Sequence, residues 1–408
     1  MGNAIYRKDG SSNVRVRNLR HKTSILIDET SVSSEIRNHS AYWKDSTSVP
    51  MDSINSSCGA LHSMIVKPDG GLYGTGLNTE GQIGIVPTFA STFTMVGTDY
   101  NWGEIHCGDL FSMAIRTDGT LWATGSNDTG QLGLGDLVER TSFTQVGTDT
   151  DYNIISCGGN CSFKIKTDGT LWGTGYNLYG QLGIADKLDK TVFTKVGTDT
   201  DWRSVYTSGL HTMAIKTDGS LWATGVNFSR QLGLGSTINR NTFIQVGTDF
   251  DWKTARCGTD FTVAIKTNGE LYATGGNTNG QLGTGDNTYR TVFTKIGSDT
   301  DWESIGSGSH FTYAIKSNGD MYSTGINNRG QLGLGDKTPR NVFTKTGIGN
   351  AWMQANCGLE YVIAAKTDGY IYIAGLLSGI PKTVLTAINI QIGLLPSGES
   401  TISNRINI

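Results

Sequence analysis

The sequence predicts an all-β fold: a seven-bladed β-propeller of four-stranded repeats about 50 residues long, with a non-repeating N-terminal arm and a short C-terminal tail. Three observations predict it. A turn dipeptide recurs in phase at Asp69-Gly70, Asp118-Gly119, Asp168-Gly169, Asp218-Gly219, Asn268-Gly269, Asn318-Gly319 and Asp368-Gly369. Such dipeptides mark tight hairpins, whose central residues need positive φ. Glycine is abundant, 55 of 408 residues, roughly twice the usual share. With 9 Trp, 15 Tyr and 13 Phe besides, the composition suits short strands joined by tight turns around a sizeable core. Finally, apolar residues alternate with period two over strand-length runs. Helical bundles, coiled coils and collagen are excluded.

One unit shows the elements in order. Ile105-His106-Cys107 is a short first strand after Trp102, ended by Gly108. Phe111 to Arg116 alternates as a second strand, and Thr117-Asp118-Gly119 turns the chain into a third, Leu121 to Gly125. Gly119 and its equivalents Gly169, Gly219, Gly269 and Gly319 are expected to serve these turns. A loop from Asn127 to Asp136 follows, and Phe143 to Val146 forms the fourth strand.

The loop carries a family signature, Asn-x-x-Gly-Gln-Leu-Gly, at Asn78–Gly84, Asn127–Gly133, Asn177–Gly183, Asn227–Gly233, Asn277–Gly283 and Asn327–Gly333. In this the units resemble the regulator of chromosome condensation repeat family, over roughly residues 50 to 388. Two departures stand out: Arg230 replaces the loop's first glycine, and the seventh unit (Gly375-Leu376-Leu377-Ser378-Gly379) has lost the loop. The Gly-Thr-Asp-Thr-Asp-Trp connector (Gly197–Trp202) most resembles bacterial and bacteriophage members. The resemblance implies protein binding. Eukaryotic members catalyse nucleotide exchange on a small GTPase through a wedge inserted in one blade, and the constant period from Cys107 to Cys357 leaves no room for one.

Charge and motifs narrow the function further. A net charge of −3 implies no particular partner. No apolar run reaches the roughly 18 residues of a membrane span, and the N-terminus reads as neither a secretory nor a lipidation signal. No catalytic constellation, phosphate loop or cofactor motif stands outside the repeat, so the reading is a non-enzyme without cofactor or metal. Cys58, Cys107, Cys157, Cys257 and Cys357 occupy one repeat position, where the other units have Thr207 and Ser307. They read as small packing residues near the axis, the alternative being a metal ring. His62 and His211 fall at a core position. Lys164 stands where other units have alanine, and a buried ammonium there needs an acid partner or an escape to the edge. The connector acids, Asp149 and Asp151 among them, read as turn and capping residues.

Strand alternation puts the hairpins and connectors on one face and the variable loops on the other. Tyr179, Phe228, Arg329, His310 and Glu360 on the variable face are the candidate partner-binding residues. Residues 1–50 form a basic arm in which Val14–Arg17 alternates as a strand, pairing with Ile25–Ile27, and Arg15, Arg17 and Arg20 are the candidate anchors. Residues 51–388 form the propeller, and 389–408 a tail. Thr383–Ile388 is expected to supply the outer strand of blade seven, the rival being the neighbourhood of Trp43. The functional expectation is a structural or binding protein, foremost a bacteriophage virion component of tail, collar or capsid surface. Its termini would hold other virion proteins, and its loops a host-surface protein or glycan, without nucleic acid or membrane insertion. The alternatives are an intracellular regulator or scaffold binding a protein such as a small GTPase, hence cytoplasmic, and a bacterial surface lectin.

Overall fold

A computed structural model describes residues 14–18, 23–27, 55–377 apart from 348, and 380–391. Every regular element among them is a strand, and no helix there is long and apolar enough to cross a membrane. The chain divides into two units, 1–50 and 51–408. In the first, Val14–Asn18 pairs antiparallel with Thr23–Ile27, Val16 opposite Ile25, as the alternation predicts. Arg15 and Arg17 lie on this hairpin, while Arg20 and Trp43 fall outside the described residues.

The second unit contains seven sheets of four antiparallel strands, each from one contiguous stretch of chain. Blade four is typical, with strands Trp202–Thr207, His211–Lys216, Leu221–Gly225 and Arg240–Gln245 in that spatial order. First strands of successive blades touch one another all the way round, from blade seven back to blade one, so they stand around the axis. The second strand is buried along its whole length, and the outer strand is half-exposed. The core is correspondingly divided into clusters, each spanning two neighbouring blades; Met213, Ile215 and Leu221 of blade four pack with Trp252 and Ala255 of blade five. The hairpin glycines 119, 169, 219, 269 and 319 all have φ between +79 and +86 except Gly169 at +77.

The loop motif explains the repeat. Its asparagine is a buried organiser: in blade three Asn177 Oδ1 accepts from Leu182 N at 2.9 Å, while Nδ2 donates to the Asp186 and Leu188 carbonyls. The glutamine pins the loop tip, Gln181 Oε1 accepting from Tyr179 N. The loop then reaches the next blade. Thr212 Oγ1, on the second strand of blade four, donates to Gln181 O at 2.9 Å, and Thr224 Oγ1, on its third, to Gly180 O at 2.9 Å. Equivalent hydroxyls latch the loops of blades one, two, four and five, with Ser112 on Gln82 O, Ser162 on Gln131 O, Thr262 on Gln231 O and Thr312 on Gln281 O. The end of the loop bonds the next outer strand, Ala185 N to Asn241 O at 2.8 Å. Arg230 holds the glycine conformation at φ +69, and there the latch from Thr274 Oγ1 is longer, 3.2 Å.

Blade seven breaks the pattern. Its outer strand is C-terminal, Ile380–Gln391, running three residues beyond the expected boundary at 388. With its loop gone, blade seven offers nothing for blade one to latch. Val362 and Ala374 have also replaced the hydroxyls that would hold the blade-six loop, and Tyr313 Oη of blade six bonds Gln331 O instead. Tyr361 closes the ring. Its hydroxyl lies 2.8 Å from Ser63 Oγ and 2.5 Å from His62 O, and Asn356 Nδ2 donates to Ser56 O at 2.8 Å. Phenylalanine fills the Tyr361 position in blades two, five and six. Tyr361→Phe therefore fits sterically, and is expected to cost about 1–2 kcal/mol in denaturant unfolding because it strands buried partners. The same unfolding curve for Tyr361→Phe and wild type would show that the seam is held otherwise.

Candidate functional site

Two rings of residues crown the loop face. The inner ring is the turn between first and second strands: Leu61, Leu110, Asn160, Leu210, Asp260, His310 and Glu360 in blade order. The outer ring is the position after the loop asparagine: Thr79, Asp128, Leu178, Phe228, Thr278 and Asn328. The face is thus bipartite. Over blades three and four it presents Phe228 (66% exposed), Leu178 (53%) and Leu210 (36%). Gln181 Nε2 donates to Gly209 O and Val226 N to Leu210 O, which ties both loops to the Leu210 turn. Across blades five to seven the face carries two side-chain pairs, with Leu359 (45% exposed) beside them. His310 Nε2 lies 3.9 Å from Asp260 Oδ1, and Arg329 Nε 3.3 Å from Glu360 Oε2. Burial raises the Asp260 carboxyl above its usual range, against the pull of the His310 imidazole.

Of the five candidates, Phe228 and Arg329 are exposed, whereas His310 and Glu360 are half-buried in these pairs. Tyr179 differs from expectation: it is half-buried, edge-on to Tyr176 with ring centroids 6.2 Å apart. The exposed side chains beside it, Leu178 and Leu210, are the ones that sequence reasoning passed over. Leu178 stands where four of the other five loops carry Thr, Asp or Asn, whereas leucine also fills the Leu210 position in blades one and two, so only Leu178 carried a signal in the repeat.

The remaining titratable groups serve the ring. The axial thiols are free, and burial pushes Cys58 up to about 11 and Cys107 and Cys257 up to about 12. Cys58, Cys107 and Cys257 each donate to a carbonyl of the preceding blade, as with Cys257 Sγ to Tyr206 O at 3.4 Å. Ser307 Oγ does the same toward Cys257 O, whereas Thr207 Oγ1 donates to His211 O of its own blade, so four of the seven residues here act as small donors toward the preceding blade. On the other face the connector acids are counter-ions rather than turn caps. Lys216 Nζ lies 2.7 Å from Asp199 and 3.1 Å from Asp201, and also 4.9 and 4.7 Å from the Trp202 and Trp222 rings. Lys266 and Lys316 repeat this arrangement. Lys164 has an acid partner, Asp149 at 3.7 Å, and its ammonium lies 4.6 Å from both the Tyr152 and Phe193 rings. Its neighbour Tyr152 stands where blades two and four to seven have tryptophan, so lysine plus tyrosine replaces alanine plus tryptophan. Burial lowers the Lys164 ammonium, and Asp149 opposes that.

These features define a class: a ring of phased, latched blades with one variable, partly apolar face. Models of the regulator of chromosome condensation repeat match residues 57–82, 104–131, 254–281 and 302–331, and a second model of that repeat matches 218–265 and 268–315. Residues 57–82, 104–131 and 218–331 thus carry regulator of chromosome condensation repeats. No curated protein matches its sequence. The crystal structure of human WBSCR16 is similar at 20% identity, covering 78% of this chain and 88% of that one with a TM-score of 0.69. Prp20p from Saccharomyces cerevisiae is similar at 16% identity, 83% and 88% coverage and a TM-score of 0.72. At these identities the likeness is one of fold.

His62 and His211 join the interblade network, Nε2 lying 2.9 Å from Ser112 Oγ and Thr262 Oγ1 of the next blade. Burial lowers both imidazoles from 6.5 to about 3. Below pH 6.5 the unfolded chain therefore takes up protons that the folded chain refuses. Stability from this source is intact above pH 6.5 and falls toward pH 3, by about 1.4 kcal/mol per pH unit per histidine. The paired variant His62→Phe/His211→Phe, with the residue of blades two and five, should lose less melting temperature between pH 7 and 5 than wild type. Parallel pH profiles would contradict this.

Proposed function

We propose that this chain is a non-enzymatic, protein-binding propeller, a cytoplasmic scaffold or regulator whose partner docks on the loop face over blades three and four. The observation that carries the reading is the exposure of Phe228, Leu178 and Leu210 over two adjacent blades of the face that also carries the Asp260–His310 and Arg329–Glu360 pairs. Large apolar anchors with a polar surround are the residue pattern of protein interfaces. The groups best suited to chemistry are already engaged: His62 and His211 bridge blades, and the axial thiols are held protonated. The unpaired cysteines suit a reducing compartment.

Similar propellers support a binding role. The Prp20p structure is described together with binding to Gsp1p and histones, and a further structure, 16% identical with a TM-score of 0.72 and covering 85% of this chain and 90% of that one, is of Kap60 bound to yeast Prp20. A small GTPase is one partner of the kind envisaged. The virion role, with its anchoring arm and host-surface or glycan ligand, has no support from the matched repeats or the fold, so the intracellular reading takes precedence.

The test is a photo-crosslinking residue at position 228, with position 292 on the outer rim as control, followed by identification of captured protein in native cell extract. Crosslinks are expected at 228, and Leu178→Glu combined with Leu210→Glu should abolish them without changing the melting temperature. Equal capture at the rim position, or capture that survives both substitutions, would contradict the reading.

A further inference from the structure

The axis of the ring carries a cation that the latches, the ion pairs and the loop face leave unused. The first strands of blades four and five bring Arg203, Lys253 and Arg256 to the axis. Lys253 is paired with Glu303 at 2.6 Å. Arg203 is bound to carbonyls, its Nη2 donating to Trp252 O at 2.6 Å. Arg256 differs. Its guanidinium lies 5.0 Å from the Tyr206 ring of the preceding blade, and only Nη1 has hydrogen-bond partners, Ala255 O at 2.9 Å and Thr254 Oγ1 at 3.4 Å. Nε and Nη2 have no partner among the described residues, and no carboxylate there pairs with Arg256. The equivalent position in the next blade is Gly306, which brings no side chain to that flank.

The free edge is the fork that takes an oxyanion side-on through two parallel N–H bonds. A half-buried guanidinium gains more from such a partner than an exposed one, because water screens it less. The electrostatic setting agrees. Residues 51–408 carry a net charge of −6, yet the first strands of blades four and five carry three cations and no acid. We propose that the axial side of blade five binds a small oxyanion, a phosphate or carboxylate group, held side-on by Nε and Nη2 of Arg256 with its guanidinium braced on Tyr206.

The site is independent of the loop-face partner, and its test needs only the full chain. Inorganic phosphate, sulfate and acetate are titrated separately by calorimetry at low ionic strength. Saturable one-site binding is expected for at least one of them. A stronger response to phosphate and sulfate assigns a tetrahedral ligand, and a stronger response to acetate a carboxylate. Arg256→Gln should weaken the bound probe by about tenfold or more, as loss of a bidentate charged contact does. Arg256→Lys keeps the charge and loses the fork, and should weaken it similarly, which guards against a Gln variant that fails to fold. Lys187→Gln, on the exposed loop, should change nothing. Absence of saturable binding of all three anions, or equal binding by wild type and Arg256→Lys, would overturn the proposal.

Discussion

The structure depends on one contact repeated around the ring: a serine or threonine hydroxyl of one blade donating to a loop carbonyl of the blade before it. Thr212 on Gln181 O and Thr224 on Gly180 O are the clearest pair. A propeller blade buries its two faces only against its neighbours, so blade orientation must be specified as well as blade shape. The latch does this. It satisfies carbonyls that the loop would otherwise bury unpaired, and leaving such groups unmet costs more than making the bond gains. The rest of the motif prepares the loop for that contact, with Asn177 and Gln181 holding it from within and Gly180 at φ +81 bringing its backbone close to Asn241.

Two departures from the repeat are informative because each comes with compensation. Where the seventh loop is lost, Tyr361 supplies the hydroxyl that spans the seam. Where Lys164 replaces alanine, Tyr152 replaces tryptophan, and the ammonium fills the space between Tyr152 and Phe193. Arg230 is the exception. Its positive φ carries the steric penalty of a Cβ in left-handed backbone, met only by a guanidinium stacked 5.4 Å from the Tyr289 ring.

Much of this was legible in the sequence, because hairpin dipeptides and period-two alternation are local signals. Strand order within blades, the C-terminal outer strand of blade seven and the Val14–Arg17 pairing with Ile25–Ile27 follow from them. Contacts between blades were not legible, since they join residues about 50 positions apart. The connector aspartates looked like turn caps because Asp-x-Asp is a turn pattern, and only the fold shows Lys216 and its equivalents lying across them. The thiol position read as packing alone, while its donor role toward the preceding blade required the ring. On the loop face, aromatic bias favoured Tyr179 over Leu178, and the Tyr176 contact reverses that ranking.

The central claim is that hydroxyl latches, rather than apolar contact alone, hold the blades in order. Hydrogen exchange across residues 177–183 in Thr212→Val and Thr224→Val tests it most directly. Valine is nearly isosteric with threonine and already stands at the Thr212 position in blade seven, as Val362. The account predicts faster exchange confined to that loop and a loss of about 1–3 kcal/mol in unfolding free energy for each variant. Unchanged exchange in the loop, with wild-type stability, would contradict it.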